Sequence, residues 1–174
     1  MNPQRPNPNE HLPYFSRYTH LVPDGDINTF LETQFEPLNQ ALLHLSPEQA
    51  EYRYAPDKWS ILEVIGHLSD TERVFTFRGL HIARGDPSPL PGFDQDDWMK
   101  NVDFSKRNLS DLLLEWRGVR EAAISLFSSL EHEAWVRQGI ASGHTMTPRA
   151  CAYIIVGHAI YHQQLLREKY GLDI

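Results

Sequence analysis

The chain has 174 residues, of which 41% are hydrophobic and 22% charged, a length and composition that fit one domain with a sizeable core. The formal net charge of −7 argues against a nucleic-acid partner, because proteins that bind nucleic acids usually present a basic face. There is no long uncharged apolar run, so we expect no transmembrane helix. With one cysteine, Cys151, and no secretory signal at the N-terminus, we expect a cytoplasmic protein.

Residues 1–23 are predicted to form an N-terminal arm that precedes a domain of residues 24–174. This segment is rich in proline and asparagine, which disfavour regular helix. It also contains Tyr14, Phe15 and Tyr18. We therefore expect an extended arm whose aromatic side chains pack on the domain and whose first ten residues are mobile.

Two amphipathic helical patterns follow the arm. The first begins at Asp26 and carries apolar residues three and four positions apart, and Pro37 within it predicts a kink or a break. The second has a well-marked start, because Ser60 and Glu63 have the spacing of a capping box. Its apolar periodicity continues to Gly85, which is a suitable helix terminator.

A long loop, residues 85–108, separates the second helix from the third. Loops of this length are often functional, and we expect this one to cover the end of the bundle or the mouth of a pocket. The third helix is predicted over residues 109–130 and the fourth from Thr147 to Tyr170, with a loop over residues 131–146. Four long helices without a convincing alternating strand predict an all-α four-helix bundle.

His158 and His162 lie one helical turn apart in the apolar stripe of the fourth helix. A buried imidazole without a partner is costly, so two of them on one face favour a shared metal ion. His67 lies among apolar residues of the second helix and would join them if the two helices are neighbours. Alternatively, the histidines are core residues that bond to backbone carbonyls. Helical periodicity permits both arrangements.

Residues 58–72, with the sequence KWSILEVIGHLSDTE, resemble the helix-two signature of the DinB/YfiT-like superfamily. The segment from Thr147 through His158 to His162 is similar to the closing helix of that superfamily, and the likeness extends over residues 25–171. The separation of 91 positions between His67 and His158 is typical of the same family. The resemblance implies a four-helix bundle, frequently a homodimer, with a metal site formed by His67, His158 and His162.

The resemblance also implies a reaction class: a metal-dependent hydrolase, or a transferase that uses a low-molecular-weight thiol such as bacillithiol or mycothiol. The ion is often zinc or nickel in this family, and iron also accepts histidine ligands. Three neutral ligands leave a position open, where water or a thiol can be activated for attack on a small electrophilic substrate. The competing interpretation is a non-catalytic metal-binding or dimerising bundle.

Three further polar residues of the second helix are candidates for supporting roles. Glu72 is a candidate general base, and Asp70 is placed where it could orient a ligating imidazole. Arg78 is a candidate for binding an anionic group of the substrate or for pairing with the acidic residues of the long loop, Asp94, Asp96 and Asp97. Each of them also has an ordinary structural or solvated interpretation.

Overall fold

Three long helices dominate the computed structural model, which describes residues 3–174. They are α5 (Ile61–Ala83), α7 (Leu109–Ser128) and α9 (Pro148–Tyr170). The fourth is interrupted and consists of α2 (Ile27–Thr33) and α3 (Phe35–Leu42). Helix α5 packs against both α7 and α9, and α2 contacts the same two helices from the other side. This arrangement confirms the predicted four-helix bundle.

The interruption lies at Gln34, three residues before Pro37. Pro37 has no N–H to donate to the carbonyl of Thr33, and its ring would crowd that carbonyl, so an unbroken helix cannot pass through this turn. The prediction of a break is therefore confirmed. Gln34 itself connects the break to α9, because its Nε2 donates to the carbonyl of Val156 at 3.0 Å.

The ends of the long helices follow their local sequence signals. At the start of α5, Ser60 Oγ accepts from the backbone N–H of Glu63 at 3.2 Å, and the Glu63 carboxylate accepts from the N–H of Ser60 at 2.6 Å. At the start of α9, Thr147 Oγ1 accepts from the N–H of Ala150. Helix α9 ends at Gly171, whose φ of 71° lies in the left-handed region that glycine tolerates best.

Short elements connect the bundle helices. The short helices are α1 (Ser16–Thr19), α4 (Pro47–Ala50), α6 (Gln95–Met99) and α8 (His132–Trp135), and there are 3₁₀ turns at Pro8–Glu10, Pro13–Phe15 and Phe104–Lys106. Helix α6 and the third of these turns lie in the long loop between α5 and α7. Within residues 3–174, no helix is both long and apolar enough to cross a membrane.

The prediction of a plain loop before α9 was wrong. Strands β1 (Gly139–Ala141) and β2 (His144–Met146) form an antiparallel hairpin. Its turn is Ser142-Gly143, and both residues have positive φ, which matches the right-handed twist of a tight hairpin. Strands of three residues are too short to show the alternation on which sequence reasoning depends.

The N-terminal arm packs against the start of α9. Glu10 is buried and its carboxylate accepts from Arg149 Nε at 2.6 Å and from Thr147 Oγ1 at 2.9 Å. Arg5 donates to the carbonyl of Val22 at 2.6 Å. These contacts hold residues 3–10 in place, where composition suggested mobility, and Met1 and Asn2 lie outside the described residues.

The hydrophobic core consists of two clusters along the bundle. One surrounds the second half of α5 and the first half of α9, and includes Phe75 and Phe127. The other surrounds the opposite halves of these helices, and includes Leu68 and Trp116. On α9 the two clusters meet around His158. The histidines therefore lie at the level where the two clusters adjoin.

Candidate metal centre

Three buried histidines converge in the bundle, His67 from α5 and both His158 and His162 from α9. The Nε2 atom of His158 lies 3.0 Å from Nε2 of His67 and 3.1 Å from Nε2 of His162. One nitrogen from each ring can be chosen so that all three lie within 4.8 Å of one another. Each residue is at most 5% exposed. Because α5 and α9 are neighbours, His67 lies beside His158 and His162, an arrangement that helical periodicity permitted but did not require.

A glycine precedes His67 and another precedes His158, and each allows a close approach of a neighbouring segment. A Cβ atom at Gly66 would overlap the ring of Phe104, and one at Gly157 would overlap the backbone carbonyl of Tyr18. The second contact brings α1 against α9 directly beside His158. The repeated Gly-His pair was visible in the sequence, but its packing role was not recognised there.

Aromatic rings surround the imidazoles. The ring of Trp59 lies 4.7 Å from that of His67, and Tyr18 packs edge-on against His158 at 5.1 Å between centroids. Tyr161 packs in the same way against His162 at 5.2 Å. The surroundings of the three imidazoles are thus largely aromatic, and burial among these rings affects the charge state of the histidines.

Burial lowers the pKa of His67 to about 4. Burial, together with the neighbouring His67, lowers the pKa of His162 to about 3, and His158 has a pKa well below its ordinary value for the same reasons. All three imidazoles are therefore neutral at pH 7. A neutral imidazole has a lone pair on one ring nitrogen, which is the form that ligates metal ions.

The donor set fits a divalent metal ion better than it fits hydrogen bonding alone. Each ring nitrogen offers one in-plane hydrogen or one lone pair, so His158 Nε2 cannot form a good hydrogen bond with both neighbours. A cation accepts all three lone pairs together. Ligand nitrogens about 2.0–2.1 Å from a tetrahedral ion are roughly 3.3 Å apart, close to the separations of 3.0 and 3.1 Å between the facing nitrogens.

The Nδ1 atoms of His67 and His162 receive little support from the protein. Thr71 Oγ1 lies 3.4 Å from His67 Nδ1, at the limit of a hydrogen bond. His162 Nδ1 is buried and has no hydrogen-bond partner among residues 3–174. Sequence reasoning missed Thr71 and assigned the orienting role to Asp70, although the four-residue spacing from His67 to Thr71 places them on one face of α5.

Glu72 has a different role from the predicted general base. Its two carboxylate oxygens accept from Arg120 Nε at 2.6 Å, from Arg120 Nη2 at 3.0 Å and from Trp116 Nε1 at 2.8 Å. It follows His67 by five residues, which turns it about 140° around the helix axis. Both oxygens are occupied by donors from α7, so the structure assigns Glu72 to a buried ion pair between two bundle helices.

Asp70 and Arg78 also lie apart from the histidines. Asp70 pairs with Arg73 at 3.3 Å, and partial burial raises the pKa of the Asp70 carboxyl. Arg78 is buried, and its Nη2 donates to the carbonyl of Pro91 at 2.8 Å and to Ser142 Oγ at 2.9 Å. Arg78 therefore binds the backbone of the long loop and the hairpin turn, rather than acidic side chains of the loop.

A cavity of about 460 Å³ reaches His162 from the surface. The arm contributes Tyr14, Arg17 and Tyr18 to its lining, and helix α6 of the long loop contributes Gln95 and Asp96. This placement agrees with the expectation that the loop borders a pocket mouth. The arm residues were not predicted to line it, although the aromatic content of the arm was a signal.

Comparisons with known proteins place this architecture in a family. The model of the DinB superfamily matches residues 31–166, so the chain belongs to that superfamily. A protein of Oceanobacillus iheyensis named "Putative metal-dependent hydrolase OB0413" is 29% identical over 105 residues. That match spans 59% of this chain and 59% of the relative.

A solved structure has the same fold. YfiT from Bacillus subtilis, described as "a probable metal-dependent hydrolase with an unusual four-helix bundle topology", superposes with a TM-score of 0.71. The superposition covers 98% of this chain and 95% of YfiT at 15% sequence identity. At this identity the likeness demonstrates a shared fold, which agrees with the family assignment.

Proposed function

We propose that the chain is a metal-dependent enzyme in which His67, His158 and His162 hold one divalent ion, either zinc or nickel, with iron also compatible. One observation carries the proposal: three buried, neutral imidazoles direct Nε2 atoms towards one another at 3.0 and 3.1 Å. The proposed reaction is attack of water or a low-molecular-weight thiol on a small electrophilic substrate. The enzyme would accordingly be a hydrolase or a thiol S-transferase.

A divalent ion held by three neutral ligands supplies Lewis acidity at an open position, which favours deprotonation of water or a thiol near neutral pH. The protein contributes position and access. Trp59 and Tyr18 pack against two of the imidazoles and restrict their rotation. The cavity that reaches His162 has the size of a small-molecule site, and Arg17 and Lys58 in its lining can orient a polar substrate.

Elemental analysis of protein purified without added metal tests the metal centre. We expect near-stoichiometric zinc, nickel or iron in the wild-type chain and almost none in His158→Ala, because two remaining imidazoles bind an ion much more weakly. His144→Ala is the matched control, since His144 is exposed in β2 and should not affect the metal content. Circular dichroism establishes that each variant is folded.

Metal-free wild-type protein, purified without chelators, would refute the metal centre, as would full metal content in folded His158→Ala. If metal is present, a panel of activated esters and alkylating electrophiles with and without thiols separates the two reactions. A hydrolase turns over without a thiol, whereas a transferase requires one. Absence of turnover by the metal-loaded protein across the panel would favour the alternative function.

The alternative is a non-catalytic metal-binding or dimerising bundle. Such a module should have its ion enclosed, with a fourth ligand from the protein. The cluster found among residues 3–174 contains three histidines, and a cavity approaches one of them from solvent. This open approach favours the enzyme.

Three accompanying expectations remain predictions: a homodimer, a cytoplasmic location and the absence of a nucleic-acid partner. Light scattering coupled to size-exclusion chromatography tests the first, and a mass equal to one chain would contradict it. The second is supported by the single cysteine, and the third by the acidic composition.

A further inference from the structure

Arg78 of α5 and Arg120 of α7 are both almost completely buried, but their surroundings differ. Arg120 donates to both carboxylate oxygens of Glu72, which neutralises its charge. Arg78 has only neutral acceptors, the carbonyl of Pro91 and the hydroxyl of Ser142, and both are bonded to Nη2. Its Nη1 is buried without a hydrogen-bond partner, and no carboxylate within residues 3–174 forms an ion pair with Arg78.

This environment is unfavourable for a guanidinium group. Burial lowers the pKa of Arg78, yet arginine remains protonated at any physiological pH, so its positive charge persists. A buried charge without a counter-charge destabilises a protein, and a buried N–H without an acceptor adds to that destabilisation. An anion supplied from outside the chain would provide the missing counter-charge.

The position of Arg78 connects it with the candidate metal centre. Arg78 lines a cavity of about 370 Å³ between the arm and the long loop. Tyr14, Gln95 and Asp96 line both this cavity and the one that reaches His162, so the two cavities adjoin. Arg78 follows His67 by three helical turns on the same face of α5, or about 16 Å along the axis.

The walls of the cavity select among anions. Leu12, Phe15 and Phe93 provide apolar surface, and the ring of Phe93 lies 5.7 Å from the guanidinium carbon. Asp94 and Asp96 lie in the same lining and repel ligands with several negative charges. The combination suits a single carboxylate attached to an apolar body, because a carboxylate matches the planar guanidinium donors.

We propose that Arg78 forms a carboxylate-binding subsite for a monocarboxylate with an apolar body. That this ligand is the substrate of the histidine centre rests on the proposed function; the subsite itself does not. A substrate whose carboxylate binds Arg78 would extend its opposite end through the adjoining cavity towards His162.

Calorimetric titration with phenylacetate as the probe tests the subsite. We expect saturable binding to the wild-type chain and a loss of about tenfold or more in affinity for Arg78→Met, because a charge-assisted hydrogen bond is removed. Arg84→Met is the matched control, since Arg84 lies just beyond α5 and is exposed. The uncharged isostere 2-phenylethanol should bind equally weakly to the wild type and to Arg78→Met.

Equal phenylacetate affinity in the wild type and folded Arg78→Met would overturn the proposal, as would the absence of saturable binding to the wild type. If Arg78→Met does not fold, nitrogen-detected NMR of the wild-type arginine side chains gives the answer. Phenylacetate should shift the Arg78 signals and leave those of Arg120 unchanged. Unchanged Arg78 signals at saturating phenylacetate would overturn the proposed subsite. Phenylacetate should bind His158→Ala as tightly as it binds the wild type, which would show that the subsite is independent of the metal centre. The titration therefore remains a valid test even if the proposed metal centre is wrong.

Discussion

Helix α5 carries a buried polar site on each of two sides, and the two sites are satisfied in different ways. On the side of α7, Glu72 and Arg120 form an ion pair, and Trp116 donates to the same carboxylate. On the side of α9, His67 meets two other imidazoles whose ring nitrogens compete for one another. The hydrogen bonds of the first site are complete within the protein, whereas the facing Nε2 atoms of the second can all be satisfied together only by an added cation.

This difference separates a structural polar site from one that binds a ligand. Both sites are deeply buried and both contain residues that could do chemistry, so burial and residue type do not distinguish them. The two sites are distinguished by whether their lone pairs and N–H groups have partners within the protein. We therefore expect Glu72 to contribute to the stability of the bundle and the histidines to serve the proposed function, with little effect of either site on the other.

The largest effect is expected when the complete site is broken. Glu72→Ala leaves the Arg120 guanidinium buried without its counter-charge, which should reduce the free energy of unfolding of the metal-free protein by about 3–5 kcal/mol. Urea denaturation measures this change. The fraction of the variant that is folded should still bind metal, because Glu72 donates nothing to the histidines.

Glu36→Ala is the matched control for this variant. Glu36 also pairs with an arginine of α7, Arg117, but both side chains are exposed, and the free energy of unfolding should hardly change. A similarly small effect of Glu72→Ala, or a loss of metal from folded Glu72→Ala protein, would contradict the separation between the two sites.

A smaller effect is expected from the packing that surrounds His158. Gly157→Ala places a methyl group where the carbonyl of Tyr18 lies, so α1 must move away from α9, with an expected loss of about 1–3 kcal/mol. Both the unfolding temperature and the affinity for metal should decrease, since the contact adjoins His158, a proposed metal ligand. This result would show that the histidine site depends on the arm.

Gly118→Ala provides the control for the glycine substitution. Gly118 lies within α7, and a Cβ atom there would have no neighbour within 4 Å. Alanine should stabilise this helix by about 0.5–1 kcal/mol, because it restricts the unfolded chain. Equal responses at the two glycines would indicate that helix propensity, and not the contact with Tyr18, determines the outcome.

The sequence was sufficient for the bundle because its signals are local. The capping box of Ser60 and Glu63, and the apolar periodicity of each helix, depend on residues within one or two turns. The spacing of His158 and His162 is local in the same sense. His67 required one further condition, the contact between α5 and α9, which the structure satisfies.

The parts that could not be predicted depend on distant partners. The role of Glu72 is determined by Arg120, 48 residues later, and that of Glu10 by Arg149, 139 residues later. Neither pairing has a local pattern, since each carboxylate could equally have been solvated. The family resemblance indicated the three histidines, but it contained no information on these ion pairs.

The stability of the metal-free protein should also depend on pH. Burial lowers the folded-state pKa of His67 to about 4, below its ordinary value of 6.5, so the unfolded chain binds more protons between these values. Stability from this neutral imidazole is fully present above about pH 6.5 and is lost as the pH falls towards 4, with a limiting slope of about 1.4 kcal/mol per pH unit.

Chelator-treated wild-type and His67→Gln proteins, unfolded in urea between pH 7 and 5, isolate this contribution. The wild type should lose stability more steeply than His67→Gln, because glutamine does not titrate. His144→Ala should retain the wild-type slope, since His144 is exposed. Identical slopes for the wild type and His67→Gln would mean that His67 has the same pKa in the folded and in the unfolded metal-free protein. The His67 imidazole would then be solvated in the folded chain, and the contrast between the two sides of α5 would no longer hold.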